Sequence, residues 1–428
     1  MRLGGRLAAA IEVLGDIESR HRPAADALKD WGQSHRFAGS GDRAVIGNIV
    51  YDALRRKRSA AWLFESNEPR ALAIGALILQ WGMSADEVNS ILDGDRFAPE
   101  PLSAAELSAI ASRNLADAPA AVQADCPDWC APLAEEAFGD EWISELQALS
   151  GRPPLDLRVN TLHSSREQVL EALADAGAAP ADYPPDAVRI PPIDGDGRHP
   201  NVQASDAFKE GWFEVQDVGS QMVAAMAGVT QGMQVLDYCA GAGGKTLALS
   251  AAMKNTGQIF AHDAERQRLN PIFERLRRAG CRNVQAVAGE EGLRPLEGQM
   301  DLVLVDAPCT GSGTWRRRPD AKWRLTEKQL ETRVGEQTAI LEDVKRFLKP
   351  GGRIVYITCS FFPQENSHRI AGFIEANPEF EVISPEKLWQ DTFGANLDRA
   401  RFGTHGVTLS PARTATDGFF FSALHRKA

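Results

Sequence analysis

Long apolar runs are missing from this chain. No stretch approaches the ~20 consecutive apolar residues that a membrane-spanning helix needs, so a helical membrane span is not expected. A secretory leader is not expected either. The apolar run Leu7 to Ile11 is short, is cut by Glu12 and is followed by no small-residue cleavage site. It reads as an amphipathic helix, and a cytoplasmic protein follows by default. Cysteine is scarce, at six in 428 residues, and Cys126, Cys130, Cys239, Cys281, Cys309 and Cys359 are scattered. That scatter argues against a disulfide framework. The one close pair, Cys126 and Cys130, has neither the spacing nor the histidines of a zinc site. No metal is expected.

Positive charge is in deficit, with 47 Lys and Arg against 58 Asp and Glu for a net of −11. Such a balance speaks against a nucleic-acid partner, but its distribution reverses the reading. Residues 61–150 hold 16 acidic and 3 basic residues, a net of −13 that leaves +2 for the remainder, with local basic clusters. The 43% hydrophobic and 25% charged content are those of an ordinary globular chain, and the length calls for two or three domains.

Residues 1–115 read as all-helical. Apolar residues recur at helical spacing through Ala44 to Leu54, straight into Arg55-Arg56-Lys57-Arg58. That tetrad suits a helix C-terminus and equally suits phosphate. Prolines 119, 127, 132, 153 and 154 mark a joint. Residues 116–207 form a linker and a small α/β module, with a strand at Leu155–Asn160, a helix at Arg166–Gly177 and a proline-bearing β segment after it. From residue 208 to 428 strand and helix alternate. Strands are expected at Met233–Tyr238, Gln258–His262, Val284–Val287, Asp301–Asp306 and Arg353–Thr358, and helices at Glu265–Gly280 and Thr326–Phe347. The alternation implies an α/β, doubly wound and mostly parallel sheet. The runs Phe380–Ile383 and Gly418–Leu424 are expected to pair at its edge.

The first of these strands ends in Asp237-Tyr238-Cys239-Ala240-Gly241-Ala242-Gly243-Gly244-Lys245-Thr246. A glycine turn from strand to helix lets backbone N–H groups approach a ligand. The spacing is wrong for a phosphate-cradling loop, which needs glycine where Cys239 stands. It is also wrong for a dinucleotide fingerprint, whose third glycine falls on Thr246. An acid just before the loop suits a ligand carrying an ammonium group, such as the methionine part of S-adenosylmethionine. Asp263, at the tip of the next strand, stands where ribose hydroxyls are bound.

Two later strands deliver Asp306-Ala307-Pro308-Cys309-Thr310-Gly311-Ser312-Gly313 and Thr358-Cys359-Ser360. Both cysteines stand at carboxyl ends of strands, where ligand crevices form in such sheets. Singly, each is more often a buried hydrophobe than a nucleophile. Together, beside Asp306, they suit methylation at an unactivated pyrimidine carbon. A thiolate that adds to C6 makes C5 nucleophilic, and a carboxyl group absorbs the charge that develops. Which cysteine attacks is not decided by strand position.

These motifs, with Leu157-Arg158-Val159-Asn160-Thr161, Val215-Gln216-Asp217-Val218-Gly219-Ser220-Gln221 and Thr416-Asp417-Gly418-Phe419-Phe420, stand in one order. In that order the chain from about Pro153 onward resembles the RsmB/NSUN (NOP) family of RNA cytosine-5 methyltransferases. The resemblance implies a Rossmann-like methyltransferase domain preceded by an RRM-like module. It makes Cys359 the nucleophile, Cys309 the helper in product release and Asp306 the acid at the base. It assigns S-adenosylmethionine to Cys239, Ala240, Gly241, Ala242, Gly243, Gly244, Lys245, Asp263 and Asp306. Two departures stand out. Gly241-Ala242 replaces a proline-containing pair, and Gly289-Glu290-Glu291-Gly292 stands where the family has an aspartate at the adenine edge, with Glu290 as its counterpart.

Residues 1–115 resemble, more faintly, a NusB-like RNA-binding domain, through Ser40-Gly41-Asp42-Arg43 and Val50 to Arg56. Small-subunit ribosomal RNA is then the expected substrate, tRNA the fallback, and a monomer the expected state. RNA contacts are expected at Arg158 and at Arg316, Arg317, Arg318, Lys322 and Arg324, in a segment that follows the Cys309 loop, with Trp323 packed inward. The competing readings are a DNA cytosine-5 methyltransferase, with Cys309 as nucleophile, and a silent RNA-binding assembly factor.

Overall fold

A computed structural model describes residues 1–394 and 397–427. The chain forms two compact units. One comprises Met1–Arg152, Ile193–Arg198 and Trp315–Leu325, and the other comprises Pro153–Pro192, His199–Thr314 and Thr326–Ala428. The helical unit is thus longer than residues 1–115, and it takes in two short segments from later in the chain. Among the described residues, no helix is long and apolar enough to cross a membrane.

The helical unit is built on helices Leu3–Arg20, Ala24–Ser34, Ser40–Arg55, Lys57–Phe64 and Pro69–Leu79. The first places Leu7, Ala10, Val13, Leu14 and Ile17 on one buried face, the three-and-four spacing of an amphipathic helix. They join Ile46, Ile49, Val50, Leu72 and Ile74 in one core. The basic tetrad is consumed by acids of its own unit. Arg55 pairs with Asp52 at 2.9 Å, Arg56 approaches Asp125 at 3.7 Å, Lys57 pairs with Glu18 at 2.8 Å and Arg58 with Asp128 at 2.5 Å. Neither the helix dipole nor a phosphate is needed to explain it.

The segment 315–325 packs into this unit. Trp323 donates its indole N–H to the Leu54 carbonyl at 2.7 Å and sits against the core. Lys322 is only 2% exposed, with its ammonium 4.7 Å from the centre of the Trp323 ring. Burial pushes the Lys322 pKa down to about 8.

The second unit holds two sheets. A small antiparallel one, β2-β3-β1-β4, comprises β1 (Leu155–Val159), β2 (Ala179–Pro180), β3 (Ala187–Ile190) and β4 (Phe213–Val215). The large one contains β5 (Gln234–Asp237), β6 (Gln258–His262), β7 (Val284–Val287), β8 (Met300–Asp306), β9 (Leu348–Thr358), β10 (Phe380–Val382), β11 (Arg401–Gly403), β12 (Gly406–Leu409) and β13 (Phe419–Arg426). Its order is β11-β12-β13-β9-β8-β5-β6-β7, with β10 also on β13. Strands β5 to β9 are parallel and the others antiparallel.

The parallel strands are apolar on both faces because both faces are covered. Leu302, Leu304, Val355 and Ile357 point into one core. Val303, Val305, Ile354 and Tyr356, one residue out of step, point into the other. The expected pairing of the last two runs occurs, but β13 is not an edge. It lies between β9 and β12, with Phe421 in one core and Phe420 in the other. The strands β11 and β12 were invisible to periodicity, since each is too short to show a period.

Candidate active site

From β5 the chain runs outward in one direction to β6 and β7, and on the other side lie β8 and β9. The order therefore reverses between β5 and β8, and the carboxyl ends of these two strands are where ligand crevices form in such sheets. The glycine loop and Asp306 flank this point.

Two glycines shape the loop. Gly241 and Gly243 have φ of 51° and 83°, the left-handed region. A Cβ on Gly243 would also lie 2.5 Å from Ile272 Cγ1. The helix Gly244–Ala252 then begins, and its first N–H groups have no side-chain cap at Gly243. The loop is braced from β6. Ala240 N–H donates to the His262 carbonyl at 2.8 Å and Gly241 N–H to Asp263 Oδ2 at 2.9 Å. Asp263 Oδ1 accepts from Glu265 N–H at 2.9 Å, so this acid is a loop prop before it is anything else.

Lys245 Nζ reaches Asp306 Oδ2 at 2.6 Å across the crevice. Asp306 keeps about a third of its side chain exposed, at 36%, with Oδ1 turned to no donor among the described residues. Asp237, by contrast, is fully buried. Thr246 donates to its Oδ2 at 2.7 Å, while its Oδ1 has no partner among the described residues. Burial, together with the neighbouring Asp306 and Asp263, pushes the Asp237 pKa up to about 7. It props the start of the helix and does not face a ligand. Glu290 stands just past β7, as expected, but is exposed and engages both terminal nitrogens of Arg346, at 2.5 and 2.8 Å. An exposed acid already held by an arginine is a weaker candidate for a ligand contact than Asp263.

The strand pair β8–β9 sets Asp306 opposite Ile357. Three residues on from Asp306 and two from Ile357 stand the cysteines, with Sγ atoms 3.4 Å apart and both thiols free. Cys309 is pushed well above the ordinary thiol range by its hydrogen bond to Cys359, by burial and by the charges of Cys359 and Glu365. The two loops are bonded to each other. Gly313 N–H donates to the Cys359 carbonyl at 3.0 Å, and the Ser312 and Ser360 hydroxyls meet at 2.8 Å. Gly418 N–H donates to the Gly313 carbonyl at 2.8 Å, and the Asp417 N–H donates to Asp217 at 3.2 Å. Motifs 200 residues apart in sequence thus close around one crevice.

The expected RNA-contact residues scatter. Arg158 is 8% exposed and donates to Gln216 Oε1 at 2.7 Å, and burial lowers its pKa to about 10. Arg316 and Lys322 are buried in the helical unit. Phosphate cannot reach such groups without unpacking them, so they do not fit the role expected of them. Arg317 is half-buried, and Arg318 and Arg324 are exposed. Arg324 pairs with Asp320 at 2.9 Å. The sequence reading also missed Glu365, Gln337 and Asn366, whose buried polar atoms tie the cysteine loops down. An acid and an amide six and seven residues after Cys359 carried no periodic or spacing signal. Among the described residues, no group of three or more His, Cys, Asp or Glu side chains is placed to hold a metal ion.

Residues 225–425 match the family model described as 16S rRNA methyltransferase RsmB/F, and residues 126–192 match the ferredoxin-like domain of RsmF/B-like methyltransferases. The chain is 34% identical over 310 residues to ribosomal RNA small subunit methyltransferase B of Salmonella arizonae, covering 70% of this chain and 66% of that protein. The Citrobacter koseri protein of the same name is 33% identical over 307 residues, with the same coverage. The chain thus spans just under two thirds of these relatives. Among solved structures, PH0851 is 24% identical with a TM-score of 0.72, covering 100% of this chain and 99% of that one. A methyltransferase homologue from Pyrococcus horikoshii is 26% identical with a TM-score of 0.58, covering 72% and 97%.

Two outcomes follow from the geometry. A Cβ on Gly313 would fall 2.2 Å from the Gly418 carbonyl oxygen, so Gly313→Ala is expected to force apart the Cys309 loop and the start of β13. Thermal melting should fall, and an unchanged value would refute the tight approach. For Asp237, the raised folded pKa means that the folded chain favours the protonated carboxyl. Its contribution to stability is complete below the ordinary value of 3.8 and is lost as pH rises through about 7. Asp237→Asn should therefore flatten the fall in unfolding free energy between pH 4 and pH 7, measured by urea titration.

Proposed function

Since the chain belongs to the RsmB/F family of 16S rRNA methyltransferases, we propose that it methylates C5 of a cytosine in small-subunit ribosomal RNA, with S-adenosylmethionine as methyl donor. The observation that carries the chemistry is the pair of thiols 3.4 Å apart at adjoining strand tips beside a half-exposed Asp306. One thiol suffices for a nucleophile, and a second in contact with it implies a division of labour.

The crevice fits the donor. Its two left-handed glycines bring backbone close, a helix start offers N–H groups, and Asp306 Oδ1 is open to a cation. Gly241 to Lys245, Asp263 and Asp306 would hold it, and Glu290 is retained as the residue nearest the adenine edge in chain order. When bound, S-adenosylmethionine supplies the electrophilic methyl group.

Cys359, as thiolate, adds to C6 and so raises electron density at C5. Asp306 faces the ring at N3, where a carboxyl group hydrogen-bonds to or protonates it and absorbs the developing charge. The target base must leave its stack to reach the crevice. Once the Cys359 sulfur is a neutral thioether, its hydrogen bond and its charge no longer raise Cys309, while burial and the Glu365 charge still do. Cys309 can then lose its proton to water and, as thiolate, take the proton from C5. The C–H electron pair restores the C5–C6 double bond, and the C6–S bond breaks with its electrons on Cys359.

Cys359→Ala is expected to abolish both methyl transfer and the protein–RNA adduct on denaturing gels. Cys309→Ala is expected to accumulate that adduct. The opposite pattern would assign attack to Cys309, as in a DNA-type enzyme, and RNA binding without transfer would leave only an assembly factor. For RNA contact, Arg318→Ala should weaken binding and reduce the salt slope by about 1, the release of one phosphate contact. Lys322→Met should leave that slope unchanged, because its ammonium is buried. Binding titrations from 50 to 200 mM salt read both.

A further inference from the structure

We infer that Glu365 is the positioning residue that holds Cys309 against Cys359, and thereby governs release of the methylated base and not its capture. The inference rests on the division of labour proposed above.

Glu365 closes the short turn Pro363–Glu365 that follows β9, and its side chain is fully buried. Its Oε1 accepts the Thr310 N–H at 2.8 Å, and its Oε2 accepts the Thr310 hydroxyl at 2.5 Å. Gln337, also fully buried, reaches in from the helix Glu327–Val344. Its Nε2 donates to Glu365 Oε1 at 3.0 Å and to the Pro308 carbonyl at 3.0 Å. The residues immediately before and after Cys309 are therefore both fastened to one buried pair of side chains. The Tyr356 hydroxyl donates to the Glu365 carbonyl at 2.7 Å, which fixes the turn from within β9.

The nucleophile is held differently. Asn366 Nδ2 donates to the Ser360 carbonyl at 2.9 Å and Asn366 Oδ1 accepts from Thr358 at 2.5 Å, so the residues flanking Cys359 hang on Asn366. The acid, with Gln337, thus secures both neighbours of Cys309 and the amide both neighbours of Cys359, with Ser360 also lying against Thr310 at 3.3 Å and against Glu365.

The residue type follows from the bonding. Three donors, the Thr310 N–H, the Thr310 hydroxyl and the Gln337 amide, converge on two oxygens. A carboxylate accepts from all three with charge-assisted bonds. No cation pairs with Glu365 among the described residues, and burial raises its pKa. An unpaired buried carboxylate is costly unless hydrogen-bonded, and here the hydrogen bonds are those that locate Cys309. A glutamine of the same shape keeps oxygen for the two N–H donors only by turning its N–H₂ to the Thr310 hydroxyl, which must then accept, so the charge-assisted tie to Thr310 is reversed and weakened.

The test uses the full-length protein, S-adenosylmethionine and an in vitro transcript of small-subunit ribosomal RNA, and follows adduct and released product separately. Glu365→Gln is expected to form the Cys359 adduct within about twofold of the native rate while turnover falls about tenfold, so that adduct accumulates. Thr310→Val, which removes only the hydroxyl bond, should shift the same ratio in the same direction by less, and it serves if Glu365→Gln melts early. Adduct formation that falls in parallel with turnover, or an unchanged ratio in both variants, would overturn the assignment. If neither the native protein nor Cys309→Ala ever forms an adduct, the cysteine chemistry itself is at fault and this inference falls with it.

Discussion

The parallel pairing of β8 with β9 is the constraint on which the site depends. Strand spacing in a sheet is a few ångströms, so two strand tips in adjacent register bring the residues just beyond them together with little freedom. Asp306 lies opposite Ile357, and the loops that follow place the Cys309 and Cys359 sulfurs 3.4 Å apart. The two cores on either face of these strands supply the stiffness. Leu304 and Ile357 anchor one side and Val305 and Tyr356 the other, so neither tip can tilt without disturbing a packed layer.

A second theme is the number of acids taken out of water around the crevice. Asp237, Asp263 and Glu365 are all buried, and each accepts from backbone or side-chain donors of a neighbouring loop. A carboxylate that accepts several hydrogen bonds is an efficient pin, because its two oxygens serve donors from different directions. Asp306 alone keeps a free oxygen with a third of its side chain exposed, whereas the unpartnered Asp237 Oδ1 is sealed away from solvent. The distinction between pins and a working acid is therefore visible as a difference in exposed acceptor capacity.

Charge was the property the sequence described least well. The tetrad Arg55 to Arg58 is matched by Asp52, Asp125, Glu18 and Asp128, acids that lie up to 70 residues away. Lys322 lies among aromatic rings, and Arg158 sits under Gln216. A basic run reads as a surface only when its partners are unknown. Those partners come from long-range folding, which no local window contains.

The sequence by itself determined the class of fold and the candidates for chemistry. Alternating apolar strands and helices imply a doubly wound sheet, β6 and β7 fell where they were expected, and the loop at Gly241 to Lys245 and the two cysteines stood out by residue type and order. These are local signals, carried by period and by adjacency to strand ends. The tertiary structure decided which strands are neighbours. It placed β13 inside the sheet and not at its edge, put the segment 315–325 with the helical unit, and brought Glu365 and Gln337 to either side of Cys309. The reason is physical. A hydrogen bond between residues tens of positions apart depends on strand order and helix packing, and neither leaves a period in the chain.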